Sequence, residues 1–330
     1  MAIGMTARKA LWARSANYCA FPDCGLQLTV DLLDGGSGTL HAAGIPVGEE
    51  AHIVSGSPNG PRGGDDYPRE KIDSYGNLIL LCPTHHRLID KEGGVAYTAD
   101  QLRKMKSDHE AFWASRKTVA DKRFEEVEVR TAALVETWCT QADLQHWESF
   151  TWKLNAPVAR FKHSEVDALY EQAKWVLARV WPDAYPRLRC AFANYGVTLK
   201  DLVNHIRMHM NTPPGRSGYV EVPRPWNHAT NGEVDFVKAQ QDFNFAVDVL
   251  CEISLELTKA ANYICDTVRS ELDPLFRFDE GVLIHRVGDG VFSDNSSREE
   301  YTPEQRNSNQ LYPGIDELKG RVRQQGGSSG

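Results

Sequence analysis

What this chain lacks narrows its class first. No apolar run approaches the roughly 20 residues that a bilayer-spanning helix needs, and the opening MAIGMTARKALWARS has no apolar stretch of the kind a secretory signal carries. Both absences lead us to expect a cytoplasmic protein with no membrane partner. There is no surplus of positive charge: 37 Lys+Arg stand against 45 Asp+Glu, a formal net of −8. That excludes a protein that coats nucleic acid by bulk electrostatics. No P-loop and no internal repeat are found. Cysteines are few and odd in number, and seven in 330 residues do not make a disulfide framework.

What is present is unevenly spread. Residues 1–120 carry 13 Lys+Arg against 14 Asp+Glu, and the remainder 24 against 31. A local basic face is therefore compatible with the front part, while the back part reads as a structural or partner-binding unit. Three cysteines, Cys19, Cys24 and Cys82, lie in the first quarter beside histidines. In a reducing compartment that clustering favours metal over disulfide. The other four are scattered through apolar helical stretches and read as small buried hydrophobes.

Residues 5–16 read as a short helix, CAFPDC as a knuckle-like turn, and LQLTVDLL (26–33) and EEAHIV (49–54) as strands. Residues 55–76 form a long Gly/Pro-rich loop, a length that inside a compact domain is usually functional. NLILL is a further strand feeding a helix that begins in CPTHHRLIDK. Residues 97–117 form another helix, with Thr98 as its N-cap. Beyond about residue 118 long amphipathic helices take over. Leu169, Ala173, Val176, Leu177 and Val180 recur on one helical face, as do Leu250, Ile253, Leu257, Ala261, Ile264, Val268 and Leu272. FRFDEGVLIHRV reads as a hairpin turning at Glu280–Gly281, and the chain from 293 as a polar, flexible tail. The expected organisation is α+β: a zinc-stabilised domain over 1–118, a helical domain over 119–292 and the tail over 293–330.

The chemistry concentrates in the front part. Cys19 and Cys24 at C-x4-C spacing, with Cys82 and His85 at C-x2-H, are two short turns that each offer two ligands, the donor set of structural Zn²⁺. His86 and Asp90 are four residues apart on a helix, so they share a face and can share an ion. His52 sits on a strand that pairs with NLILL and arrives near that helix. An imidazole beside a divalent metal suits phosphodiester hydrolysis. Arg62, Arg69, Lys71 and Arg87 lie on or beside the long loop, where they can contact phosphates. His205 and His209 have helical spacing but no accompanying acid or cysteine, and are read as structural. So are Trp138, Trp147, Trp152, Trp175 and Trp181.

EAHI followed by NLILLCPTHHRLID resembles the HNH endonucleases, with their ββα-metal fold. The CAFPDC knuckle, GPR at 60–62 and the helix from Tyr97 are similar to the HNH units of bacterial anti-phage effectors. The resemblance covers roughly residues 8–117. It implies His52 as the general base, Asn77 holding loop and base in position, and His86 binding a catalytic Mg²⁺ or Mn²⁺. Asp90 falls where the nuclease colicins have a second ligand. One departure is Ala51: many HNH enzymes have a metal-binding Asp or His immediately before the base. Glu50, two residues before His52 and on its strand face, is the candidate to compensate. The implied function is DNA cleavage in anti-phage defence or restriction. Control would come from the helical half, through homo-oligomer formation or a defence-system partner protein. The competing class is a catalytically silent zinc-stabilised adaptor that binds nucleic acid or a partner.

Overall fold

A computed structural model describes residues 3–30, 45–64, 67–215, 217–224, 226, 235–288, 294–308 and 311–327. The chain divides into two compact units, Met1–Thr137 and Trp138–Gly330.

The first unit opens with helix α1 (Met5–Arg14), whose Leu11 is fully buried. Strands β1 (Thr29–Val30) and β2 (Ile45–Pro46) form a two-residue ladder. The expected strand 26–33 is therefore shorter among the described residues, and its last three residues lie outside them. Strand β3 (Glu49–His52) pairs antiparallel with β4 (Leu78–Leu81), setting His52 opposite Leu78. All four β4 side chains are buried, which is why the segment reads as an unbroken apolar run rather than an alternating one. Pro83 sits at the first turn of helix α2 (Pro83–Asp90), where a missing N–H costs nothing. Helix α3 (Ala99–Ala114) starts on a capping box: Thr98 Oγ1 accepts from Gln101 N, and Gln101 accepts from Thr98 N. Helix α4 (Val119–Gln141) begins in this unit, and the division between units falls within it. Leu11, Leu28, Ile53, Leu78, Ile89 and Leu102 make a small shared core.

The second unit is mainly helical: α5 (Trp147–Leu154), α6 (His163–Ala178), α7 (Pro186–His209) and α8 (Phe236–Glu271), with short β5 (Arg160–Lys162) and β6 (Tyr219–Glu221) paired. Val249, Leu250, Ile253, Leu257, Ala261, Ile264 and Val268 of α8 are buried at helical spacing, as the pattern requires. On α6 the buried stripe is Val166, Ala173 and Val176, while Leu177 is exposed, as is Val180 just past the helix end. The expected hairpin at Glu280–Gly281 is displaced. Strand β7 (Ile284–Gly288) pairs instead with β8 (Asp294–Arg298). The stretch read as a flexible polar tail contains that strand, α9 (Pro303–Ser308) and α10 (Ile315–Gly327). Of its few apolar side chains, Tyr301, Leu311, Leu318 and Val322 are buried, and Tyr312 and Ile315 are half-buried. Among the described residues no helix is long and apolar enough to cross a membrane.

Candidate metal centre and active site

Two turns build the cysteine centre. The first, after α1, uses left-handed backbone at Asp23 and Gly25 to reverse sharply between Cys19 and Cys24. The second is the β4–α2 junction carrying Cys82 and His85. One ligand atom from each of Cys19, Cys24, Cys82 and His85 lies within 4.8 Å of every other. His85 Nδ1 is 3.6 Å from Cys19 Sγ and 3.2 Å from Cys82 Sγ. A tetrahedral ion bound at the usual zinc distances sets neighbouring ligands roughly 3.3–3.8 Å apart, so the spacing fits. Phe21 stacks on the His85 ring at 4.0 Å between centroids, holding its orientation, and the Cys82 N–H donates to Cys19 Sγ at 3.3 Å. Three thiol ligands and an imidazole from two turns fit a zinc site.

The histidines beside it hold complementary arrangements. His52 Nε2 lies 2.9 Å from Asp73 Oδ1. A carboxylate can only accept, so Nε2 carries the hydrogen and Nδ1 keeps its lone pair. His52 is one-third exposed. His86 is arranged the other way round. Its Nδ1 lies 2.6 Å from Glu49 Oε2 and so carries the hydrogen, while Nε2 faces Asp90 Oδ2 at 3.3 Å. An imidazole lone pair confronting a carboxylate oxygen is unfavourable unless a proton or a cation lies between them. Either a proton on His86 Nε2 or a cation held between His86 and Asp90 meets that requirement.

Asn77 is fully buried on the 3₁₀ turn before β4. Its Oδ1 accepts from Val54 N at 3.0 Å, and its Nδ2 donates to Val54 O and Ile72 O, each at 2.9 Å. Val54 follows His52 by two residues and Ile72 precedes Asp73. One side chain thus ties the strand end bearing the histidine to the loop bearing its carboxylate.

Two sequence expectations are corrected. Glu50 does not approach His86. It accepts from Trp12 Nε1 at 2.7 Å and pairs with Arg8 at 3.3 Å, on the α1 side. Neighbouring strand residues point to opposite faces, and the one reaching α2 is Glu49. Arg62 does not project from the loop to meet phosphate. Its side chain is 7% exposed and bonds wholly inward, to Ile53 O and Ile89 O at 2.7 Å, to His52 O at 3.3 Å and to Asp90 Oδ1 at 2.6 Å. It fastens the end of β3 to the end of α2. Arg69, Lys71 and Arg87 are exposed and make no side-chain ion pair among the described residues.

The sequence reading missed Glu49 and Asp73. The doublet Glu49–Glu50 signalled a carboxylate but not which of the two faces α2, and Asp73 stood in a loop whose path had no periodicity. His205 and His209 lie 4.5 Å apart between ring centroids, tilted by 33°, and His205 Nε2 donates to Ala246 O, the pattern of a packed histidine. Burial holds His205 well below the usual histidine range, at about 4.

With this geometry in view, residues 19–92 match the family model described as HNH endonuclease. The front unit carries an HNH nuclease domain, a fold whose members act on nucleic acid with divalent metals. Comparison with curated proteins found no match to the chain.

Proposed function

We propose that this protein is a metal-dependent DNA endonuclease. The observation that carries the proposal is the opposed hydrogen bonding of two histidines in one ββα unit: His52 bonds Asp73 through Nε2, whereas His86 bonds Glu49 through Nδ1 and sets Nε2 3.3 Å from Asp90. The first is what a general base requires, the second what a metal ligand requires. When bound between His86 and Asp90, Mg²⁺ or Mn²⁺ supplies positive charge beside the scissile phosphate. His52 Nδ1 removes a proton from water, whose oxygen bonds to phosphorus as the P–O bond to the leaving oxygen breaks. Asp73 stabilises the imidazolium so formed. Asn77 keeps that pair in register, and Glu49 holds His86 in the tautomer that presents Nε2. Arg69, Lys71 and Arg87 would contact the phosphate backbone without reading sequence. Zinc on Cys19, Cys24, Cys82 and His85 would be architectural.

We assign the helical unit a regulatory or assembly role, through a homo-oligomer or a partner protein, and the whole a place in anti-phage defence or restriction. Its long amphipathic helices and acidic balance support the first point, and the resemblance of the front unit the second. The adaptor reading rests on Ala51 at a position where many HNH enzymes carry a ligand. The reach of Glu49 to His86 weighs against it.

Plasmid nicking with Mg²⁺ or Mn²⁺ tests the assignment. His52→Ala is expected to lower the rate by about 10²–10⁴-fold, the usual worth of a positioned base. Nicking that survives the substitution removes His52 from the mechanism. A wild-type protein inert with every divalent ion and partner favours the adaptor.

A further inference from the structure

Away from the two histidines, the first unit holds a cleft of about 890 Å³ walled by α1, the Tyr75–Gly76 turn, α3 and the first part of α4. Small side chains keep it open: Ala10, Ala13, Ala111, Ala114 and Ala133 line it where a packed helix junction would carry larger residues. Its polar lining is cationic. Arg14, Arg103, Lys106, Lys117, Lys122 and Arg130 face it against three carboxylates, in a chain of net charge −8. Two of those carboxylates are already engaged. Glu110 accepts from the Tyr75 hydroxyl at 2.5 Å and lies 3.7 Å from Lys106, and Glu125 is 2.5 Å from Lys117. Lys122 and Arg130, both from α4 and both exposed, have no side-chain partner among the described residues. Glu126, one turn from each, makes no ion pair with either.

We propose that this cleft binds a phosphate-bearing anion of nucleotide size. Guanidinium and ammonium groups with free N–H donors are what phosphate oxygens require. The volume lies within the range of small-molecule sites and far exceeds one phosphate. The alanine walls and Val129 give a sugar or base an apolar surface. The same chemistry could come from a free nucleotide or from the backbone of a nucleic-acid strand crossing the cleft.

The floor gives occupancy a consequence. Lys106 donates to Tyr75 O at 2.5 Å and to Leu78 O at 2.8 Å, bracketing Asn77, while Arg14 lies 4.5 Å over the Tyr75 ring. An anion drawing on Arg14 would act, through the Tyr75 ring beneath it, on the turn that carries Asn77. This link to catalysis rests on the nuclease reading, whereas the binding does not.

The test is calorimetric titration of the full chain without added Mg²⁺ or Mn²⁺, using AMP and a ten-nucleotide single strand as probes. The variants are Lys122→Glu with Arg130→Glu, and Arg123→Glu as a control on the same helix outside the cleft lining. The double variant should weaken AMP binding about tenfold or more relative to the control, and AMP should slow hydrogen exchange over residues 75–78 in wild type. If AMP fails to bind but the strand binds and is weakened to the same degree, the site stands with a strand backbone as its anion. If neither probe distinguishes the double variant from Arg123→Glu, the proposal is overturned. A protein that binds AMP in this way but never nicks plasmid would refute the nuclease reading and leave the cleft intact.

Discussion

Single residues in this protein are decided by which neighbours their polar atoms find. Arg62 illustrates the point. It lies in the GPR segment of a loop that reads as phosphate-binding, yet three of its four inward bonds go to backbone carbonyls and one to Asp90. Arg62→Ala should therefore lower unfolding free energy by roughly 2–4 kcal/mol, because it orphans buried acceptors. Arg69→Ala with Lys71→Ala should leave stability unchanged and flatten the salt dependence of DNA binding. Urea denaturation and binding across a salt series separate the two outcomes. Lys106 makes a second case. Burial pushes its ammonium down to about 8 from 10.5, against the pull of Glu110. Between those values the unfolded chain holds a proton that the folded chain has released, so this group makes stability rise with pH through that window. Below about 8 both states are protonated and the full cost of the buried charge is felt. The stability of wild type relative to Lys106→Met should thus rise from about pH 7.5 to pH 9.5 in chemical denaturation; a flat difference would show that the ammonium is not desolvated.

At the scale of elements, the front unit is a set of short pieces that need fastening. Its strands are two to four residues long and its core is small, so cross-links contribute more than propensity does. The cysteine centre joins the turn after α1 to the start of α2, and Asn77 joins β3, β4 and the loop between them. One zinc per chain is expected by elemental analysis. Cys82→Ser should abolish it and lower the melting temperature of the first unit. Loss of zinc with unchanged melting would remove the clasp from the stability argument. The capping box on α3 was readable as Thr98 followed by Gln101, because caps act between residues three apart. The pairing of His52 with Asp73 and of His86 with Glu49 was not, because strand-to-loop and strand-to-helix contacts leave no local period.

For the molecule as a whole, α4 is the element whose place the pattern could not supply. A change in composition near residue 118 marks the start of long helices, yet the compact front unit extends to Thr137. Thr6 donates to Glu136 Oε2 at 2.5 Å and Lys9 to Glu128 at 3.1 Å, so α4 is stitched to α1 by polar contacts. A fragment of residues 1–137 should therefore melt higher than one of residues 1–118. Equal melting would return the boundary to the composition change. The assembly role given to the helical unit is checked by light scattering and by added partners: a strict monomer whose cleavage no partner raises would refute it.

The turns carrying Cys19, Cys24, Cys82 and His85, the strand–loop–strand–helix order and the N-cap of α3 were legible in the chain, because each depends on short spacings that geometry enforces locally. Glu49 rather than Glu50 beside His86, Arg62 turned inward, Asp73 behind His52, the helices over 303–308 and 315–327 and the cationic cleft were settled only by folding. Each depends on which distant surface a side chain meets, and a polar group's partner is chosen by desolvation and reach in three dimensions. Helix α10 makes this plain: sparse apolar side chains such as Leu318 and Val322 look like a tail until packing against α8 buries them.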